Sequence, residues 1–279
     1  MKALVTGAAG MVGQAVAAYF EAQGATVFAH DHRSLDITDA AALAACFERE
    51  RPEVVVNCAA WTDVDGCESD HARAFEANAH APERLAQNAR RIGASLITIS
   101  TDYVFDGTKE GFYTQRDDPN PTSVYAASKL EGERRAAAAA ARVMVVRTGW
   151  VFGVGGRNFL STVIERARRG LHLSAITDAY GTPTYSKDLA ARLYELARLD
   201  LPGLYHVVGG GQGTSFEEFA REALRAARCE GCAVEGVSMD SLTRPAPRPR
   251  NSRLRCLVSE AIGLAPLRSW QAALADFAA

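Results

Sequence analysis

Three glycines at a spacing of three, Gly7, Gly10 and Gly13, lie between a short apolar run, Ala3-Leu4-Val5, and an amphipathic stretch from Val12 to Gln23. That order reads as a buried strand, a tight turn and the start of a helix. Glycine at these points permits the sharp turn, brings backbone N–H groups close to an anion and lets the helix pack on the strand, while the helix dipole favours negative charge. A dinucleotide pyrophosphate is the ligand such a turn suits.

The turn opens a regular alternation. Gly24 closes the first helix and Thr26-Val27-Phe28-Ala29-His30 makes a second strand; Ala40 to Arg49 is helical and Val54-Val55-Val56-Asn57 a third strand. A long helix is expected over Ala72 to Arg91, a fourth strand over Ser95 to Ser100, a helix over Tyr125 to Ala141 and a fifth strand over Val143 to Arg147. Strands apolar on both faces and separated by helices imply an α/β fold with a doubly wound parallel sheet. Ligands of such sheets bind beyond the carboxyl ends of the strands, where Gly7–Gly13, Asn57–Asp63 and Ser100–Phe105 all fall. From about Phe152 the alternation weakens, with helices over Phe159 to Arg169 and Ser215 to Arg228 and a strand over Leu204 to Val208. The expected organisation is a dinucleotide-binding domain over 1–151 and a smaller, interleaved substrate domain over 152–279, with 186–200 returning a helix to the main sheet.

A net charge of -2 on 279 residues gives no general electrostatic reason to bind nucleic acid or an anionic membrane. No apolar run approaches the ~20 residues of a membrane span and no basic segment with an apolar run opens the chain, so the expected location is the cytoplasm. Six scattered cysteines read as reduced thiols, and the Cys229-Glu230-Gly231-Cys232 pair lacks the further ligands a zinc site needs, so no metal is assigned.

Tyr125-Ala126-Ala127-Ser128-Lys129 carries the chemistry. One helical turn puts Tyr125 and Lys129 on one face, where an ammonium beside a phenol favours the phenolate and tunes a group of ordinary pKa ~10 for proton exchange. Ser100-Thr101 at the end of the fourth strand faces the same crevice.

Thr6-Gly7-Ala8-Ala9-Gly10-Met11-Val12-Gly13 together with Tyr125 and Lys129 resembles the extended short-chain dehydrogenase/reductases, which implies a Rossmann-type fold. Several further stretches are similar to the dTDP-4-dehydrorhamnose reductase branch: Arg51 to Asp65, Ser100-Thr101-Asp102-Tyr103-Val104-Phe105-Asp106-Gly107, Arg147 to Phe152, Asp178 to Thr184, Gly203 to His206 and Arg248-Pro249-Arg250-Asn251-Ser252-Arg253-Leu254. The resemblance implies reduction of the C4 keto group of a dTDP-linked 4-keto-6-deoxysugar. Tyr125 would be the acid, Lys129 would hold the cofactor ribose and support Tyr125, and Thr101 would polarise the carbonyl. Asp102, Tyr103 and Trp150 match positions that touch the sugar, and Asn158 joins them as a substrate candidate. Related 4,6-dehydratases carry Asp-Glu after the threonine; here Asp102-Tyr103 lacks the base, which favours a reductase. Epimerisation at C4 of another nucleotide sugar stays open on spacing alone. A non-catalytic alternative is an NADP-binding regulatory subunit of the methionine adenosyltransferase type, against which Thr101, Tyr125 and Lys129 together weigh.

For the cofactor, the candidates on the glycine turn are Gly7, Ala9, Gly10, Met11 and Val12. After the second strand they are Asp31, Arg33, Asp36 and Ile37, and after the third Cys58, Ala59, Ala60 and Thr62, with Tyr125 and Lys129 at the nicotinamide. Asp31 suits the 2′-OH of NADH, whereas His32 and Arg33 suit a 2′-phosphate; reductive biosynthesis tips the expectation to NADPH. Some relatives bind magnesium through glutamates at a dimer interface, but Ala15 stands where the first-helix glutamate would align, which leaves a homodimer open without a magnesium link. The Pro/Arg-rich segment from Thr243 to Arg255 has no acidic residue, and its guanidinium groups suit a diphosphate. Arg250 and Arg253 are its candidates for the dTDP diphosphate.

Overall fold

The structure, a computed structural model, describes residues 1–279 apart from Arg157, Glu230 and Ala279. Six strands, β1 (Lys2–Thr6), β2 (Thr26–His30), β3 (Val54–Asn57), β4 (Ser95–Thr101), β5 (Val143–Thr148) and β6 (Gly203–His206), form one parallel sheet in the order β6-β5-β4-β3-β1-β2. Parallel strands need covering on both faces, and the sequence supplies apolar residues to both. Leu4, Val55, Leu96 and Val143 pack with Leu43 and Phe47 of α2 (Ala40–Glu50), Leu85 of α3 (Ala81–Ile92) and Ala136 of α4 (Val124–Ala139). On the opposite face, Val5, Val56, Ile97 and Val146 pack with Val16 and Phe20 of α1 (Met11–Ala22) and Leu189, Leu193 and Leu196 of α5 (Ser186–Leu199). Phe20 meets Tyr194 edge-on at 5.1 Å, which ties α1 to α5.

The chain leaves β1 toward β2 on one side and reaches β3 on the other, so the order of the sheet reverses beside β1. That reversal opens a crevice at the carboxyl ends. A buried polar ladder fixes the strands beneath it: Thr6 Oγ1 donates to Asn57 Oδ1 at 2.7 Å, and Asn57 Nδ2 donates to Thr98 Oγ1 at 3.1 Å.

Residues 203–206 complete the main sheet as its sixth strand, Leu204 pairing with Val145 of β5. The remaining late segments stand over the carboxyl ends. Helices Phe159–Arg168, Phe216–Ala226 and Trp270–Ala278 enclose a second core of Phe152, Tyr185, Phe219 and Trp270, and Leu173–Ile176 pairs in parallel with Val234–Val237.

The helix expected over Ala72 to Arg91 is interrupted. It comprises His71–Phe75, a π-helical turn at Glu76–His80, and α3. The turn aims the buried Asn78 at a loop: Asn78 Oδ1 accepts from the Trp61 N–H at 2.9 Å, and Nδ2 donates to the Trp61 carbonyl at 3.0 Å and to Ser128 Oγ at 3.1 Å. Periodicity in sequence could not show this break, because the apolar pattern resumes after it. No described helix is long and apolar enough to cross a membrane.

Candidate active site

The glycine turn brings backbone closer to backbone than any side chain allows. Gly7 has φ +67°, and a Cβ there would meet the Ala59 nitrogen at 2.7 Å; a Cβ on Gly13 would collide with the Gly7 carbonyl oxygen. Gly10 caps α1 without a side-chain hydrogen bond, so the first N–H groups of the helix remain for an anion. The turn forms one end of a cleft of about 950 Å³.

Fourteen of the fifteen expected cofactor residues line that cleft: Gly7, Ala9, Gly10, Met11, Val12, Asp31, Asp36, Ile37, Cys58, Ala59, Ala60, Thr62, Tyr125 and Lys129. Arg33 does not. It is exposed, and its N–H donates to Asp31 Oδ1 at 3.0 Å. The same oxygen accepts from the Ser34 N–H at 2.9 Å, and these bonds, Ser34 foremost, hold the Asp31 carboxyl below its usual range. Asp31 therefore shapes the turn after β2 as well as lining the cleft.

Thr101, Tyr125 and Lys129 meet on the floor. β4 ends at Thr101, and Ser123 caps α4, its Oγ accepting from the Ala126 N–H at 3.3 Å, so that Tyr125 enters the cleft in the first helical turn. Lys129 is 6% exposed and donates to the Ile99 carbonyl at 2.7 Å; burial pushes its ammonium down to about 8, against the opposing charge of Glu133. Burial drives the Tyr125 phenol above its ordinary range, and the Thr101 hydroxyl works the other way. The expectation that Lys129 lowers the Tyr125 pKa is thus corrected in this structure: the ammonium points to a backbone carbonyl, and desolvation dominates the phenol.

Beneath the floor lies a charged network that sequence reasoning missed as a unit. Arg147 and Glu133 pair at 2.7 Å with both side chains buried, and Ser100 Oγ donates to Glu133 Oε1. Arg147 was visible only as part of a motif; its partner comes from α4 and has no sequence signal.

On the substrate side, Asp102 is 3% exposed and pushed up to about 6 by burial, with the hydroxyls of Ser252 and Thr101 opposing. Tyr103 lies edge-on to Tyr125 at 6.3 Å; burial and the Asp102 charge raise it to about 12 against Arg248 and Arg244. Trp150 adopts φ +48° and stacks on Phe216 at 3.7 Å. Asp102, Tyr103, Trp150 and Asn158 all line the cleft, joined there by Phe216, which sequence reasoning missed. Asn158 also caps the Phe159–Arg168 helix, its Oδ1 accepting from the Ser161 N–H at 3.0 Å.

The arginine segment divides. Arg250 pairs with Asp178 at 2.8 Å and with Asp240, while Arg253 Nε donates to Asn251 Oδ1 at 2.8 Å and its guanidinium lies 5.4 Å from the Tyr180 ring. None of Arg248, Arg250 and Arg253 lines the cleft. Arg248, paired with Asp65, is the arginine whose charge reaches Tyr103. Cys229 and Cys232 donate to separate backbone carbonyls, of Ala227 and Ala167; Glu230 between them lies outside the described residues.

A family model described as the RmlD substrate binding domain matches residues 1–279. A Streptomyces griseus protein named dTDP-4-dehydrorhamnose reductase is 40% identical over 283 residues, spanning 98% of this chain and 91% of that one. A Streptomyces antibioticus protein named as a probable dTDP-4,6-dihydroxy-2-methyloxan-3-one 4-ketoreductase is 38% identical, spanning 99% and 94%. The crystal structure of dTDP-4-dehydrorhamnose reductase from Bacillus anthracis in complex with NADP superposes with a TM-score of 0.96 at 31% identity, spanning 99% of this chain and 98% of that one.

Proposed function

The chain belongs to the RmlD substrate binding domain family, and from that premise and the cleft we propose that it is an NADPH-dependent oxidoreductase that reduces the C4 ketone of a dTDP-linked 4-keto-6-deoxysugar, dTDP-4-dehydro-L-rhamnose foremost. The observation that carries this reading is the meeting of Thr101, Tyr125 and Lys129 on the floor of a cleft whose far end is a glycine turn.

The residues fit a dinucleotide: glycines that a Cβ would obstruct cradle a pyrophosphate, and the N-terminus of α1 has no side-chain cap. When bound, the nicotinamide supplies the hydride that adds to C4. Everything else is the work of this chain. The Thr101 hydroxyl and the Tyr125 phenol polarise the carbonyl, and Tyr125 gives its proton to the oxygen as the C–O double bond becomes an alcohol. Lys129, whose ammonium is brought down to about 8 by burial and is held on the Ile99 carbonyl, would bond the cofactor ribose.

Asp102, Tyr103 and Trp150 orient the sugar, and the arginine segment meets the diphosphate; there Arg248, beside Tyr103, is better placed than Arg250 or Arg253. Residues 1–151 with the returning segment at 186–206 hold the cofactor, and the rest of 152–279 closes on the sugar nucleotide. A cytoplasmic location belongs to the same proposal. A homodimer belongs to the same reading, and sedimentation of the purified chain tests it.

The decisive experiment adds NADPH and a panel of dTDP-4-keto-6-deoxysugars to the purified chain, follows NADPH oxidation and identifies the alcohol formed. Oxidation with dTDP-4-dehydro-L-rhamnose as the preferred ketone is expected. NADPH binding without oxidation of any ketone overturns the enzyme reading in favour of a regulatory module.

A further inference from the structure

Behind the adenosine end of the cleft, three metal-ligating side chains of different chemistry meet. His30 is the last residue of β2, and Cys46 and Glu50 lie one turn apart on α2. Cys46 is 1% exposed and Glu50 is 9% exposed. His30 Nε2 lies 3.2 Å from Glu50 Oε2 and 3.8 Å from Cys46 Sγ, and Cys46 Sγ lies 3.4 Å from Glu50 Oε2.

These separations lie within a few tenths of an ångström of the edges of a metal tetrahedron. With Zn–S of about 2.3 Å and Zn–N and Zn–O of about 2.0 Å, ligand atoms at tetrahedral angles stand roughly 3.3–3.6 Å apart. The mixed donor set selects the ion. Magnesium and calcium take oxygen ligands, whereas thiolate, imidazole and carboxylate together suit zinc. The set carries two negative charges once the thiol is deprotonated, which matches a divalent cation.

An outer shell is already in place. His30 Nδ1 lies 3.3 Å from Ser34 Oγ, which in turn bonds Asp31 Oδ1 at 3.1 Å. Ligating histidines are ordinarily oriented by such a partner on the second ring nitrogen. Arg49 approaches Glu50 Oε1 at 2.6 Å, an oxygen that His30 Nε2 also meets at 3.0 Å, while Oε2 faces the cysteine and lies 3.2 Å from the histidine.

We propose that His30 Nε2, Cys46 Sγ and Glu50 Oε2 form a zinc-binding site that fastens β2 to α2 and, through Ser34 and Asp31, steadies the turn at the adenosine end of the cleft. On binding, Cys46 releases its proton to solvent, the imidazole coordinates through its lone pair, and a water molecule completes the tetrahedron.

Cobalt(II) chloride titrated into the full-length chain tests this, because a thiolate–cobalt bond gives a charge-transfer absorption that neither carboxylate nor imidazole produces. One equivalent is expected to generate that band together with the visible bands of tetrahedral cobalt, and zinc chloride is expected to displace both. The Cys229→Ser, Cys232→Ser double variant should retain the band and Cys46→Ser should lose it. Should Cys46→Ser fail to fold, His30→Gln, on the edge strand, keeps the test, with cobalt affinity expected to fall by at least ~10-fold. Absence of the band at stoichiometric cobalt, its persistence in Cys46→Ser, or unchanged affinity in His30→Gln overturns the site. None of these readouts uses NADPH or a ketone, so the outcome is independent of the reductase reading.

Discussion

The wall of the cleft proposed to receive the cofactor and the wall proposed to receive the sugar are built by different means. On the cofactor side the surface is backbone: Gly7, Gly10 and Gly13 follow one another from the turn into the start of α1, and Ala59 presses on Gly7 from the loop after β3. On the sugar side it is side chains from distant segments, with Trp150 stacked on Phe216 and Asp102 facing Ser252. Backbone walls recognise what every dinucleotide shares, the pyrophosphate, and tolerate almost no added atoms. Side-chain walls can be refashioned one residue at a time, which is how relatives of one fold come to carry names for different ketosugars.

Perturbing the floor, each wall and the rim separates their contributions. The largest effect is expected on the floor between the walls: Tyr125→Phe removes the proton donor and should lower kcat by ~10²–10⁴-fold while the NADPH Kd stays within about threefold. Steady-state kinetics with fluorescence binding checks it, and activity above about a tenth of wild type refutes the role.

Next comes the backbone wall. Gly13→Ala drives a methyl group into the Gly7 carbonyl, and overpacking of this kind costs roughly 1–3 kcal/mol, so NADPH affinity should fall by about ten- to a hundredfold. Isothermal titration with NADPH measures it; an unaltered Kd would show that the turn can give way.

The side-chain wall is probed through Asp102. Its folded pKa of about 6 exceeds the ordinary 3.8, so its contribution to stability is fully present below pH 3.8 and is lost as the pH rises through about 6. The loss amounts to about 3 kcal/mol. Urea denaturation should therefore show wild type losing that much relative to Asp102→Asn between pH 4 and pH 7. A pH-independent difference would mean that Asp102 is hydrated in solution.

The smallest effect belongs to the rim. Arg248→Ala should raise KM for the dTDP-sugar about tenfold, the value of a charge-assisted phosphate contact at ~1.5 kcal/mol, without altering NADPH affinity. Arg250→Ala should do less, since that guanidinium is turned to Asp178 and Asp240, whereas Arg248, itself paired with Asp65, is near enough to act on the Tyr103 phenol. The reverse ranking would return the diphosphate to Arg250.

Legibility in the sequence follows the same division. The glycine turn is local, and a backbone requirement leaves its mark on consecutive residues. Tyr125 and Lys129 are one helical turn apart, so their common face can be read directly. The sixth strand of the main sheet was visible as a strand over Leu204 to Val208, but its place beside β5 depends on α5 crossing the sheet first. Phe216 reaches the cleft, and Ser252 and Arg248 come up to Asp102 and Tyr103, from segments whose approach is set by tertiary packing. His30, Cys46 and Glu50 escaped notice for that reason: Cys46 and Glu50 share a helix face, but the third member lies at the end of a strand that only the packing of α2 brings near.

The π-helical turn at Glu76–His80 makes this part of the chain intolerant of changes in length. Such a turn accommodates a residue beyond what the surrounding helix requires. A single-codon deletion in the α-helical turns on either side has no such slack to take up, and it would rotate everything on one side of the lesion by about 100° relative to the other. Either α3 would turn its leucine away from the sheet, or Asn78 would swing off Trp61 and Ser128 and release the support behind Lys129. Substitutions on the outer face leave that phase intact, so in a lineage of such chains this stretch would be free to drift in composition and forbidden to drift in frame length.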